Sequence, residues 1–276
     1  MQLSDLTKAP IGLLSQHFTP KDGVASFAHT NALLRRPVAL PEVFAHFWTL
    51  DHTVILGMQD LHLPRLSQAL KALGDWHYFV RNSGGLGVVS DEAVLNFSLF
   101  LPQRPELTIA TAYGLMAATI QAALPEVTIT AAEITRSYCP GSFDLSIGGQ
   151  KFAGLAQRRT SAGIAVMAYI SVCGDQHARG ELMQTFYQAG DGQKAAHFHF
   201  PDIDPAVMAS LDALLRQPLT VGLMQSRLVH ALIAQGMQVD PLLLPTALTQ
   251  PAYQQALAVA NADMHERQHF ATKETL

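Results

Sequence analysis

Only two cysteines, Cys139 and Cys173, occur in 276 residues. Two thiols do not make a disulfide framework, so the fold must rest on its core. Charge is scarce too: Asp, Glu, Lys and Arg make up 14% of the chain. The net charge is −4 and the pI is near 6.3, so there is no basic footprint for nucleic acid. No apolar run is long enough for a membrane span, since the longest, residues 164–173, contains Ser171. The opening MQLSDLTKAP has neither the basic start nor the apolar centre of a signal peptide. These absences predict a cytoplasmic protein with no membrane partner. C-x-x-C is missing, and His197-x-His199 has no third ligand in view, so no metal is expected. G-x-G-x-x-G, the Walker A pattern and G-x-S-x-G are missing as well.

The apolar content is 49%, enough for a sizeable core in one large domain or two. Residues 1–20 read as an irregular lead-in. Helical spacing marks residues 23–36, stopped by Pro37, and residues 64–73 and 109–124. Strands are expected at 43–48, 53–56, 76–80, 86–89, 95–101 and 127–134, and a buried strand at 163–172. Residues 176–188 read as a helix. Asp204-Pro205 caps another running to 216, Thr220 caps a third to 236, and residues 251–265 form a fourth. The last sixty-odd residues therefore read as a helical appendage on a strand-rich body.

Residues 137–159, SYCPGSFDLSIGGQKFAGLAQRR, organise the rest. Gly148-Gly149 between two strand-like runs predicts a two-residue hairpin turn, because both positions can take positive φ. Ile147 then faces Gln150, and Ser146 faces Lys151. One face carries Phe143, Leu145, Ile147 and Phe152; the other carries Asp144, Ser146, Lys151 and Ala153. Cys139 lies upstream in a Pro-Gly turn, within reach of the polar face. By residue type alone, two readings stay open. The pair is a nucleophile with its proton-transfer partner, or Lys151 is a strand lysine paired with Asp144 and Cys139 a small buried side chain. A second stretch, RNSGGLGVVSDEAVLNFSLFLP, holds a glycine-rich turn at Ser83, Gly84, Gly85 and Gly87. Such a turn can present N–H groups to an anion or carbonyl, or simply join two strands.

At these two stretches the sequence resembles the lipoate/biotin protein ligase superfamily. Arg81-Asn82-Ser83-Gly84-Gly85, Asp91 and Leu95-Asn96-Phe97-Ser98 are similar to the R-x-S-G-G…D…L-N-x-S block of lipoate-attaching enzymes. Lys151-Phe152-Ala153-Gly154 resembles their K-x-x-G element. Ser137-Tyr138-Cys139-Pro140-Gly141 with Asp144-Leu145-Ser146 is similar to the octanoyl-[glycine-cleavage H protein]:protein N-octanoyltransferase branch. The resemblance covers roughly residues 25–235.

It implies an α/β (α+β) fold with mixed, mostly antiparallel sheets flanked by helices. Residues 1–240 would be the catalytic domain and 241–276 a helical tail. It also implies an amidotransfer without cofactor. An octanoyl group leaves a lysine of the H protein, rests on Cys139 as a thioester, and passes to a lysine of a 2-oxoacid dehydrogenase lipoyl domain. Lys151 would move the protons. Arg81, Ser83, Gly84, Gly85, Asp91, Asn96, Asp144 and Gly154 would bind substrate, and the glycines would admit the acyl chain. Three rivals remain: a transferase fed by acyl-carrier protein, an ATP-dependent lipoate ligase with no need of Cys139, and a non-catalytic binder of lipoyl domains.

Overall fold

The first regular element is a strand, β1 (Ile11–Phe18), where residues 1–20 read as irregular. Its polar half, Ser15-Gln16-His17, masks the pattern that buries Ile11, Leu14 and Phe18. Pairing on both edges, not local preference, makes it a strand. Helix α1 (Gly23–Arg35) ends at a left-handed Arg36, just before Pro37. Then come β2 (Phe44–Leu50), β3 (Thr53–Leu56), α2 (Leu66–Ala72), β4 (His77–Val80), β5 (Val88–Ser90), β6 (Val94–Leu101) and α3 (Ile109–Ala123). All lie within two residues of the positions their spacing predicts.

The next segment departs from expectation. The alternating stretch 127–134 yields only β7 (Thr130–Ala131), exposed at a sheet edge with one neighbour to pair with. Next are β8 (Leu145–Ile147), β9 (Gln150–Arg159), β10 (Ile164–Ser171) and α4 (Gln176–Ala189). The helix read over 205–216 is broken. A 3₁₀ turn at Pro205–Val207 is capped by Asp204, and α5 (Leu211–Leu215) follows separately. Between them Met208 bridges to Lys151, and the Ala209 N–H donates to the Lys151 carbonyl at 3.0 Å. The chain gives up helix here to pair with β9. The elements close with α6 (Val221–Ala234), β11 (Val239–Asp240), α7 (Leu243–Leu248) and α8 (Pro251–Lys273).

The computed structural model describes residues 1–273; the last three residues of the expected tail lie outside the described residues. The main sheet has eight strands in the order β11-β1-β2-β6-β10-β9-β8-β7. Only the β1 pairings with β2 and β11 are parallel. A second sheet, β4-β3-β5, stands apart. Along β6, Phe97, Leu99 and Leu101 pack toward α3 and α6. The intervening Asn96 and Ser98 face the opposite side, where α1 and the small sheet cover the main sheet. Mixed sheets flanked by helices are thus the architecture. Helix α8 packs on α1, α7 on β1, and β11 on the edge of β1. The C-terminal residues are woven into the body rather than hung from it. Among the described residues, no helix is long and apolar enough to cross a membrane.

Candidate active site

The hairpin forms as its glycines require. Gly148 and Gly149 have φ of 57° and 84°, Ile147 pairs with Gln150, and Ser146 with Lys151. One residue further the register shifts, and Leu145 pairs with Ala153. A bulge of this kind places two residues opposite one and re-aims the side chains beside it. Ala153 joins Phe152 in the apolar core, not the polar face with Lys151. Phe143 leaves the core face and packs against Tyr113. Asp144, Ser146 and Lys151 are all buried.

Burial of a lysine demands partners, and Lys151 has four. Its Nζ lies 2.9 Å from Asp144 Oδ1, 3.0 Å from Ser137 Oγ, 2.9 Å from the Cys139 carbonyl and 3.3 Å from the Tyr138 carbonyl. Asp144 Oδ2 accepts the N–H groups of Ile134 and Gly141. Burial raises the Asp144 carboxyl, and the Lys151 charge opposes that rise. Lys151 therefore pairs with Asp144, and it also ties down the segment that carries Cys139.

Cys139 adopts φ 50°, in the left-handed region that costs a non-glycine residue energy and recurs at functional sites. Its Sγ accepts the Leu86 N–H at 3.2 Å and faces Arg81 Nη2 at 3.6 Å. An N–H group and a guanidinium are thus both aimed at the sulfur. The Arg81 Nη2 also donates to the Leu86 carbonyl at 2.9 Å, so arginine and loop meet the sulfur as one unit. Cys173 differs: burial pushes its thiol up, as does Asp212.

Both segments open onto a cavity of about 320 Å³, a size suited to a small acyl group. Apolar walls come from Phe27, Trp48, Ile55, Val88, Leu155 and Met167. Arg81, Ser83, Gly84, Gly85, Asn96, Cys139, Lys151 and Gly154 all line it. Arg81 Nε, Ser83 Oγ and Asn96 Nδ2 are buried atoms with no partner among the described residues. Asp91 is not in the cavity wall. It forms a two-pronged ion pair with Arg179, at 2.7 and 2.8 Å, on α4. Asp144 reaches the site only through Lys151. Of the cavity glycines, Gly85 is the one pressed against Arg81 and Cys139. A Cβ there would sit 2.6 Å from Arg81 Nη2 and 2.9 Å from Cys139 Sγ, on a backbone with φ 93°. Gly87 is instead packed on Met183, and a Cβ at Gly154 would meet only ordinary contacts. Gly85→Ala should slow acylation of Cys139 at least about tenfold and cost about 1–3 kcal/mol of stability. Rapid-quench mass spectrometry and a denaturant titration check both.

Sequence reasoning missed the apolar wall, which is gathered from α1, β2, β3, β5, β9 and β10. It also missed Tyr113 and Tyr169. No local pattern marks such residues, since each reads as ordinary core.

The arrangement of sulfur, buried lysine and apolar slot is that of an acyl-transferring enzyme. The Lipoyl protein ligase A/B catalytic domain family matches residues 22–233. A relative from Staphylococcus epidermidis, named octanoyl-[GcvH]:protein N-octanoyltransferase, is 40% identical over 81% of this chain and 82% of its own. One of the same name from Oceanobacillus iheyensis is 42% identical over 77% of this chain and 78% of its own. The chain belongs to this family, in its octanoyl-[GcvH]:protein N-octanoyltransferase branch. Solved structures share the fold. A putative lipoate protein ligase from T. acidophilum with bound lipoic acid superposes with TM-score 0.70 at 15% identity, covering 95% of this chain and 99% of that one. A lipoate-protein ligase A bound with ATP gives 0.71 at 14% identity, covering 95% and 98%.

Proposed function

We propose that the chain is an octanoyl amidotransferase. It takes an octanoyl group from a lysine of the glycine-cleavage H protein and delivers it to a lysine of 2-oxoacid dehydrogenase lipoyl domains. The names of its relatives support the acyl group and the donor. The observation that carries the mechanism is Cys139 Sγ, held by the Leu86 N–H beside Arg81 at the cavity wall.

The Cys139 thiolate attacks the carbonyl carbon of the donor amide. The carbon–nitrogen bond breaks, Lys151 gives a proton to the departing amine, and a thioester remains. The acceptor lysine then attacks that thioester, its surplus proton passes to Lys151, and the thiolate leaves. Protons balance over the cycle. Both ends of the transfer are lysine amides, so no ATP is needed. A thiolate suits the relay as a strong nucleophile that is also a good leaving group. Arg81 Nε, Ser83 Oγ and Asn96 Nδ2, unpartnered among the described residues, supply hydrogen bonds to the substrate carbonyl and its oxyanion. Burying six methylenes of the chain in the slot is worth roughly 5 kcal/mol. Asp91, clamped on Arg179, holds α4 in place and does not touch substrate. In this reading the chain acts in the cytoplasm.

Mixing the protein with octanoylated H protein and no ATP should add the mass of one octanoyl group. No gain with that donor, but a gain with octanoyl-acyl-carrier protein or with octanoate and ATP, would overturn the donor assignment. Cys173→Ala should acylate and transfer at the rate of the parent, since burial keeps that thiol protonated. Loss of labelling in Cys173→Ala would move the nucleophile.

A further inference from the structure

The Leu86 N–H that meets Cys139 sits on a loop that must be held rigid, and a buried pair outside the cavity lining holds it. Asp60, wholly buried, lies in the 3₁₀ turn Met58–His62 after β3. Its Oδ2 accepts the Gly57 N–H at 2.7 Å, and its Oδ1 accepts the Tyr187 hydroxyl at 2.8 Å. The same hydroxyl oxygen accepts the Gly87 N–H at 3.1 Å. Gly87 is the residue after Leu86. The carboxylate thus fixes the hydroxyl hydrogen, and the free lone pair faces the loop. From the other side the Arg81 guanidinium holds the Leu86 carbonyl. Gly57 is packed so closely that a Cβ would come 1.9 Å from the Gly85 carbonyl oxygen.

We propose that Asp60 and Tyr187 are positioning residues that fix the Leu86 N–H on the Cys139 sulfur. Neither lines the cavity, so neither is a catalytic residue. A buried carboxylate needs a reason to persist, because burial pushes the Asp60 carboxyl up to about 6. Hydrogen bonds from Tyr187 and Gly57 and the Arg81 charge oppose that rise. A neutral side chain would fill the space at lower cost. What the carboxylate supplies is two acceptors at once, one for the Gly57 N–H and one that orients the tyrosine. The ionisable and charged groups around the loop and sulfur are Asp60, Tyr187, Arg81, Lys151 and Tyr113.

The inference rests on Cys139 as the nucleophile but not on the identity of the acyl donor. The test needs no donor: the rate of iodoacetamide alkylation of Cys139 against pH, above the range where Asp60 titrates. Cys173→Ala is the background, so that one thiol is read. Tyr187→Phe should slow alkylation of Cys139 about tenfold at neutral pH, because the sulfur loses a fixed donor. Asp60→Asn, close to isosteric, should slow it by less. If Tyr187→Phe does not fold, Asp60→Asn carries the test. An alkylation profile superimposable on the parent, in a folded variant, would overturn the proposal, even if the melting temperature fell.

Discussion

Cys139→Ala is expected to form no octanoyl-enzyme and to lose transfer at least about 10³-fold, the scale seen when an enzymatic nucleophile is removed. The fold should survive. The side chain is half-buried, and its sulfur contacts are one N–H at 3.2 Å and a guanidinium at 3.6 Å. Arg81 still holds the Leu86 carbonyl, and the Leu86 N–H is the donor that loses its acceptor. Intact mass after incubation with octanoylated H protein reads the first effect, and thermal unfolding reads the second. The backbone sharpens the expectation. Cys139 stands at φ 50°, a conformation that alanine tolerates no better than cysteine. Persistence of the acyl adduct in Cys139→Ala would place the thioester elsewhere and end the relay as drawn.

Lys151→Ala combines two large losses. Without Lys151 the departing amine loses its proton donor, and transfer should fall about 10²–10⁴-fold. The variant should also be less stable by about 3–5 kcal/mol, because Asp144 would be left as an uncompensated buried charge. The pH dependence follows from the direction of the Asp144 shift. Its carboxyl is already raised by burial in the native protein, with Lys151 opposing the rise. Removing Lys151 raises it further. A carboxyl raised in the folded state is neutral at low pH, so the deficit should be smallest there. The deficit should grow as pH rises from the unfolded carboxylate range through the raised folded value. Urea titrations across that interval check the sign. The double variant Lys151→Met with Asp144→Asn should regain most of the stability and none of the activity. Recovery of activity in the double variant would make Lys151 a structural ion-pair partner only.

Much of the fold is legible in the sequence because local rules govern it. The Gly148-Gly149 turn fixes its own register, since few other residue pairs accept positive φ twice in succession. Helices α1, α3 and α6 announce themselves by apolar spacing and by their stops and caps. β1 is illegible for the opposite reason. Its polar half gains strand geometry only from β2 and β11, the latter more than two hundred residues away. The broken helix at 205–216 is the same lesson reversed, since Met208 and Ala209 exchange helix for pairing with Lys151.

The site divides along the same line. Residue order alone placed Cys139, Lys151 and the Arg81–Gly85 block as candidates, because reactive side chains are rare in so uncharged a chain and their spacing resembles known blocks. Only the tertiary structure decided what each one touches. Asp91 moved out to Arg179, Asp144 moved in to Lys151, and Arg81 turned its guanidinium on the sulfur. The physical reason is distance. Turns, caps and amphipathic faces are settled within a few residues. A thiol's proton affinity, a lysine's partners and an apolar slot depend on groups that only packing brings within hydrogen-bonding range.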